Sequence, residues 1–478
     1  MIFTESGSYT KQILFHDIRQ SIESLSFHSI SSGDRVVISA ENSYEFIVTL
    51  FSLIHLDCSI ILLDGQVGEQ KIKRVMEETN AKICLIDRDL PIVNTISIKP
   101  LASPDEISYI EFKLNIEKWK SRKDALILYT SGSTGQSKAI IKSGQSMFIN
   151  LESTMKSMCY LRNDILLPVI PFSHFYGLSL VFIWWMMDCH LVLCDYKKVR
   201  KILKAISDYK VTVVDAIPST YHVLIQLMEK RQEVRNDLKR SSVRLWCIGG
   251  SPLSAKLAAD FEGYVGRPLL DGYGLSEAGN IALNTGNEKG CGKALEGVRI
   301  MIMDEYGKEA QAGNIGEVLI KSPGLMEGYL GLKKETERAF LDGWYRTSDL
   351  GYMTPDQHLY VVGRKGEGFL RKGYLIYPAT IEKEIFDSLG YRGKVFSFKD
   401  EKKDSYVLIF IEEDPANIAE IKRNIYTHID PFYQPNKILV LKEFPYLLNG
   451  KVDQVGLKKL ASQWNQNREE DSNCIALS

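Results

Sequence analysis

Residues 129–139, YTSGSTGQSKA, place two glycines among four clustered Ser and Thr hydroxyls and end in a lysine, Lys138. Glycine lets backbone N–H groups close on an anion, hydroxyls add donors, and a lysine supplies a point charge, so the loop suits phosphate. A simple polar turn needs neither the lysine nor the hydroxyl cluster between two apolar strands. The commoner phosphate loop, G-x-x-x-x-G-K-[ST], is not matched, because Gln136 follows Gly135. A dinucleotide fingerprint at Gly249 and Gly250 and a G-x-S-x-G elbow are also absent. A second cluster, DGYGLSEAG at 271–279, sets Asp271 and Glu277 beside Tyr273 and Ser276 on what reads as a Gly-flexed loop. Two carboxylates, two hydroxyls and an aromatic ring together suit a nucleotide and a hard metal ion.

Something rigid must hold these loops. From Arg35 the chain alternates RVVIS, SYEFIVTLFSLIHL, SIILLD, EQKIKRVMEET and KICLID, which predicts strand, helix, strand, helix, strand. The alternation resumes through VTVVDAIP, a helix near Ser219, VRLWCI and a helix starting near Ser254. Such a pattern predicts parallel sheets covered by helices, with ligands at loops beyond strand ends. After Gly290, short strands with Gly-rich turns predict a β-rich subdomain, and GRKGEG at 363–368 reads as a junction. The expected fold is α/β: an N-terminal domain over 1–363, with its β-rich subdomain, and a small α+β domain over 364–478.

At 478 residues the chain exceeds the ~250–300 at which one core stops growing, so more than one domain is expected. With 45% hydrophobic and 25% charged residues the composition is that of a globular protein. A formal charge of −1 without a sustained basic block argues against a nucleic-acid partner. The opening MIFTESGSYT lacks a basic start and apolar core, and the apolar run around 178–187 is well short of the ~18 residues of a spanning helix, so a cytoplasmic location is expected. The eight cysteines form no C-x-x-C pair. Cys189, His190 and Cys194 surround an apolar stretch that reads as a buried strand rather than half a metal site.

The two clusters have company. PFSHFYG at 171–177, GGSPLS at 249–254, GEVLIKSPGLMEGY at 316–329, GWYRTSDLG at 343–351, GRKGEGFLRKGYLIYPATIE at 363–382 and NGKVD at 449–453 follow in order. Together they resemble the adenylate-forming superfamily of acyl-CoA synthetases, peptide-synthetase adenylation domains and luciferases, most of all the acyl-CoA synthetases, over nearly the whole chain.

The resemblance implies activation of a carboxylic acid by ATP and Mg²⁺ to an acyl-adenylate, then transfer to the thiol of CoA. A carrier-protein phosphopantetheine is the variant acceptor. It assigns Thr130, Ser131, Gly132, Ser133, Thr134, Gly135 and Lys138 to the phosphates, and Glu277 to the metal. Gly249, Gly250, Ser251, Asp271, Tyr273, Gly274 and Ser276 fall to the adenine region, with Tyr273 against the base. Asp349 and Arg364 fall to the ribose, and Lys451 becomes the catalytic lysine carried on a mobile C-terminal domain. His174, Phe175, Asp215 and Gly373 would border the acyl pocket or the thiol path.

Phe175 stands where amino-acid-activating relatives commonly have an Asp, which favours a fatty or other acyl or aryl acid. Asp215 keeps a polar or amino-bearing acid open, or else caps the helix near Ser219. Ala139, Ser348, Gly366 and Leu370 depart from the family pattern, the last two where the domain rotation is concerned. The rival readings are a nucleotide-binding regulator without catalysis and a phosphoryl transferase.

Overall fold

Runs of β-branched and leucine residues become the inner strands because both faces of a helix-covered sheet must exclude water. The strands Arg35–Ala40, Ser59–Asp64 and Ile83–Ile86 are joined by the helices Tyr44–His55 and Glu69–Thr79, as the alternation predicts. Ser43 caps the first helix, its Oγ accepting the Phe46 N–H at 3.0 Å. A computed structural model describes residues 1–90, 92, 94–98, 112–129, 137–250, 253–286, 290–366, 368–371, 374–399, 405–431, 433–447 and 451–467.

Two large sheets carry the molecule. The seven-stranded one runs Gly328–Tyr329, Ala139–Lys142, Leu126–Tyr129, Ser59–Asp64, Arg35–Ala40, Ile83–Ile86, Thr95–Ser97, and is parallel from Leu126–Tyr129 onward. The nine-stranded one runs Lys293–Ala294, Gly279–Leu283, Leu269–Leu275, Leu245–Ile248, Val213–Ala216, Ile165–Val169, His190–Val192, Ile2–Thr4, Gly7–Tyr9. Its central strands are parallel. The stretch around Cys189 and His190 is the expected strand, and no cluster of three metal-ligating side chains occurs among the described residues.

The helices Tyr44–His55 and Phe175–Met187 share one core that draws residues from both sheets. Ten of the twelve residues of the first are buried, and the second is apolar on every side, the composition of a helix enclosed by protein. Phe51 and Trp185 pack with ring centroids 4.6 Å apart. Among the described residues no helix is long and apolar enough to cross a membrane.

Beyond Gly290 the expected β-rich region is a five-stranded antiparallel sheet. After Arg364 come the two-stranded pair Phe369–Arg371 with Tyr374–Ile376, then a three-stranded sheet with its own core around Ile381, Ile409 and Ile425. This C-terminal part touches the larger body where Phe386 meets His222, ring centroids 5.3 Å apart, and where Lys256 N–H donates to Asp387 Oδ1 at 3.4 Å.

Two local expectations need correction. The segment 271–279 is mostly strand: Leu269–Leu275 pairs with Gly279–Leu283, with a register shift at Tyr273/Gly274, so only the turn between them is loop. Asp215 caps nothing; it lies inside the strand Val213–Ala216, and the helix Pro218–Lys230 starts with Ile217 at its cap and no side-chain cap bond.

Candidate active site

The carboxyl ends of both parallel sheets open into one cavity of about 740 Å³. One end of it is polar and charged, walled by Lys138, Glu277, Tyr329, Arg364, Lys365 and Lys451. The other is mostly apolar, walled by Tyr160, Phe175, Leu180, Ile183 and Leu270, with Asp215 set among them.

At the polar end the strands Trp344–Met353 and Leu359–Arg364 pair antiparallel and bring Asp349 opposite Arg364. Arg364 Nε donates to Asp349 Oδ1 at 2.9 Å, and the Tyr273 hydroxyl donates to Oδ2 at 2.6 Å. Tyr273 is 8% exposed and packs in the core beneath the cavity, off its wall. Alternation along the strand turns Gly272 and Gly274 to the cavity and Tyr273, expected against a base, inward, where its hydroxyl bonds Asp349. Asp271 points inward by the same alternation, taking the Cys291 thiol at 3.7 Å, and burial pushes its carboxyl up to about 7.

Glu277 lies in the turn after that strand. Burial pushes its carboxyl above the usual glutamate range, against the opposing pull of Arg364, the Tyr329 hydroxyl and Lys142. Tyr329 donates to Glu277 Oε1 at 3.3 Å while Lys138 Nζ stands 4.9 Å from the centroid of the Tyr329 ring. Magnesium is commonly held by one or two carboxylates with substrate phosphates supplying the other oxygens. Glu277, half-buried and close to Lys138, Tyr329 and Arg364 at the polar end, fits that ion, whereas Glu317 on the same wall is already paired with Arg346 and Lys365.

Lys451 comes from the C-terminal part. Val452 bridges to Tyr446, and Leu447 N–H donates to Lys451 O at 2.7 Å, which fixes its backbone. Its side chain lies over Gly250, where an added Cβ would stand 3.4 Å from Lys451 Cε and 3.7 Å from Nζ. Burial, and next the charge of Arg364, hold its ammonium below the usual lysine value. A Cβ on Gly249 would lie 2.9 Å from Tyr176 Cε1, so glycine there lets the Tyr176 ring pack against the end of its strand.

At the apolar end His174 and Phe175 start the helix Phe175–Met187. Gly177 allows that start, because a Cβ there would lie 2.2 Å from Pro171 O. Burial, with Lys451 next, pushes His174 down to about 4, so it is neutral at pH 7. Asp215 is aligned with Cys247 and Pro168 on the flanking strands and accepts the Tyr176 hydroxyl at 2.9 Å.

Of the residues singled out from sequence, Lys138, His174, Phe175, Asp215, Gly249, Gly250, Gly274, Ser276, Glu277, Arg364 and Lys451 meet on this one cavity. Asp271, Tyr273 and Asp349 stand behind its wall. Thr130, Ser131, Gly132, Ser133, Thr134, Gly135, Ser251 and Gly373 lie outside the described residues. Sequence reasoning missed Tyr176, Tyr329 and Lys142, although all three adjoin motifs it used. Lys142 is wholly buried, donates to Gly324 O at 2.6 Å, stands 4.9 Å from the Phe175 ring centroid, and is pushed by burial down to about 7. A lysine ending the strand AIIK reads as solvent-facing, and only the fold reveals otherwise.

Parallel sheets that aim strand ends at a cavity with cations at one end and a mostly apolar recess at the other are the frame of an α/β enzyme with a site for an anionic ligand beside a second, less polar one. Comparison with known proteins agrees. The chain belongs to the AMP-binding enzyme family, whose model matches residues 2–330. A 2-succinylbenzoate–CoA ligase of Listeria monocytogenes is 24% identical over 463 residues, covering 94% of each chain. A long-chain-fatty-acid–CoA ligase of Bacillus subtilis is 24% identical, covering 94% of this chain and 90% of that one. In fold the chain resembles ATP-bound MatB of Rhodopseudomonas palustris, with TM-score 0.84, 23% identity, and 96% and 95% of the two chains covered. It also resembles the o-succinylbenzoate CoA synthetase of Bacillus subtilis in complex with its acyl-adenylate OSB-AMP, with TM-score 0.83, 23% identity, and 96% and 94% covered.

Proposed function

We propose that this protein is an acid–thiol ligase: it activates a carboxylic acid with ATP to acyl-AMP and pyrophosphate, then passes the acyl group to the thiol of CoA. The observation that carries the reading is Lys451, delivered from the C-terminal part onto Gly250 at the boundary between the cationic and apolar ends. That boundary is where a carboxylate held in the recess and the α-phosphate of ATP have to meet.

A carboxylate oxygen attacks the α-phosphorus, and the bond to the bridging oxygen breaks, its electron pair leaving with pyrophosphate. Two anions approach in this step, and Lys451 is placed to neutralise both while they do. Lys138 faces the departing phosphates. Asp349, held by Tyr273 and Arg364, is positioned for the ribose hydroxyls. Glu277 would hold the magnesium ion, which would supply charge compensation for the phosphates. In the second step a thiol sulfur attacks the acyl carbon and AMP leaves with the electrons of the broken bond. The thiol loses its proton, and His174, neutral and on the cavity wall, is able to receive it.

The C-terminal part after Arg364 acts as a separate lid domain whose position sets which half-reaction runs. CoA is taken as the acceptor because the relatives are CoA ligases. For the acid they nominate 2-succinylbenzoate and long-chain fatty acids. The recess ends on Asp215, Tyr160 and Tyr176, which suits an acid with a polar far end better than a methyl-ended chain.

The test is acid-dependent ATP–pyrophosphate exchange with Mg²⁺, followed by thioester formation with CoA. AMP and pyrophosphate are the expected products. ADP would point to phosphoryl transfer, and ATP binding without exchange for any acid would point to a regulator; either result overturns the reading.

A further inference from the structure

Asp215 sits where a substrate's far end must lie. It is 2% exposed, in the middle strand of the sheet that floors the recess, and it helps wall the cavity. Its Oδ1 accepts the Tyr176 hydroxyl at 2.9 Å, while Oδ2 is buried without a hydrogen-bond partner among the described residues. The Cys247 thiol lies beside the carboxyl on the neighbouring strand. None of the salt bridges among the described residues includes Asp215. A buried carboxylate oxygen without a donor costs several times what an ordinary hydrogen bond contributes, so such a group in a binding cavity is one the ligand completes.

From the Asp215 carboxyl, bonded by Tyr176 on one oxygen and faced on the other by no donor stronger than the Cys247 thiol, at the apolar end of the cavity, we infer that the acid this ligase activates carries an amino group remote from its carboxylate. The ammonium donates to Asp215 Oδ2 while the carboxylate lies at Lys451. The inference rests on the ligase reading above and names the substrate class of that same site.

An α-amino acid does not fit the arrangement. Its ammonium would lie beside the carboxylate, next to Phe175, with Lys142 Nζ 4.9 Å from that ring and Lys451 over Gly250. Lys451, and Lys142 when protonated, repel a further cation. At the far end the positive charges recede and Asp215 is the ionisable carboxyl on the wall, flanked by the Tyr160, Tyr176 and Tyr221 phenols and the Cys247 thiol, which burial keeps neutral. Between the two ends the Tyr176 ring packs against Gly249 on the cavity wall. Tyr176 thus lies along the substrate and ties its own hydroxyl to the carboxylate that receives the amine. A second carboxylate at that end, as in 2-succinylbenzoate, would face Asp215 with like charge.

The experiment is pyrophosphate exchange on the full chain with matched acids: 6-aminohexanoate, heptanoate and adipate, and in the aryl series 4-(aminomethyl)benzoate, 4-ethylbenzoate and terephthalate, with 2-succinylbenzoate alongside. In at least one series the amine is expected to exceed its methyl and carboxylate partners about tenfold or more in kcat/KM, the scale of one charge-assisted hydrogen bond. Asp215→Asn is expected to remove that preference by raising KM for the amine and to leave the methyl-ended acid equal or better. The wild-type ranking needs no variant, so a misfolded Asp215→Asn would not rescue the proposal. Preference for methyl-ended acids, terephthalate or 2-succinylbenzoate, or an amine preference that survives Asp215→Asn, overturns it while leaving the ligase reading intact. No exchange with any acid, despite ATP binding, overturns the ligase reading itself.

Discussion

In the proposed reaction Lys451 stands over Gly250 at the junction of carboxylate and α-phosphate. Lys451→Ala is expected to slow acid-dependent pyrophosphate exchange about 10²–10³-fold, the usual cost of one preorganised charge-stabilising group, with ATP affinity changed little. Exchange at the wild-type rate would remove the lysine from the first half-reaction. Asp215 gives a second residue-scale test, read in stability. Burial raises its folded pKa to about 7 from an ordinary value of 3.8, so the folded state holds this proton more tightly than the unfolded chain does. Stability is then full below pH 4 and declines as pH rises from about 4 to 7, by about 1.4 kcal/mol for each tenfold difference in proton affinity between the two states. Asn does not titrate. The stability of Asp215→Asn relative to wild type, from urea midpoints, is therefore expected to be greater at pH 8 than at pH 5; an equal difference at both would mean that Asp215 is solvated. The Asp271 carboxyl is raised in the same way in both proteins and cancels. Residue types in ordered strings made Lys138, Glu277 and Lys451 legible in the sequence. The bond from Tyr176 to Asp215 was not legible, because it depends on how a helix lies across a strand 39 residues further on.

Elements turn those residue types into positions. The hairpin Leu269–Leu275 with Gly279–Leu283 reads in sequence as a loop, since three glycines in nine residues weaken any strand signal. Each glycine there answers a contact supplied by another element. Gly279 has φ +75°, and a Cβ on it would lie 2.3 Å from Asn150 Oδ1. Asn150 Nδ2 donates to Asn280 O at 2.7 Å and its Oδ1 accepts the Asn280 N–H at 2.9 Å, so the helix Gly144–Met158 clamps the turn that presents Glu277. Gly279→Ala is expected to lower stability by about 1–3 kcal/mol through the left-handed backbone and the lost clamp, visible as a reduced melting temperature. It should also raise the Mg²⁺ concentration needed for half-maximal exchange. Unchanged melting and Mg²⁺ dependence would show that the turn holds its place without the clamp. The parallel strands were legible for the opposite reason: β-branched runs bounded by amphipathic helices have few other ways to exclude water.

At the scale of the whole molecule, the proposed reaction assigns acyl-AMP formation to the arrangement in which Lys451 lines the cavity. Lys451 reaches the cavity because the C-terminal part is seated through Phe386 on His222 and Asp387 on the Lys256 amide. These contacts are partly polar, as at interfaces between bodies that separate. A thiol crosslink there would hold the lysine in place. In a protein with the exposed Cys159, and also Cys474, replaced by serine, Lys256→Cys with Asp387→Cys can be joined by a short bifunctional thiol reagent with a cleavable disulfide. If the C-terminal part must leave before the thiol enters, the crosslinked protein keeps acid-dependent pyrophosphate exchange and loses at least about tenfold in CoA thioester formation, and cleaving the link restores it. Thioester formation at full rate with the link intact would mean that both steps run in this one arrangement. His174 would then have to serve the thiol with Lys451 still close by, and the glycine at 366, at φ +89° with open space around it, would be a turn and not a hinge.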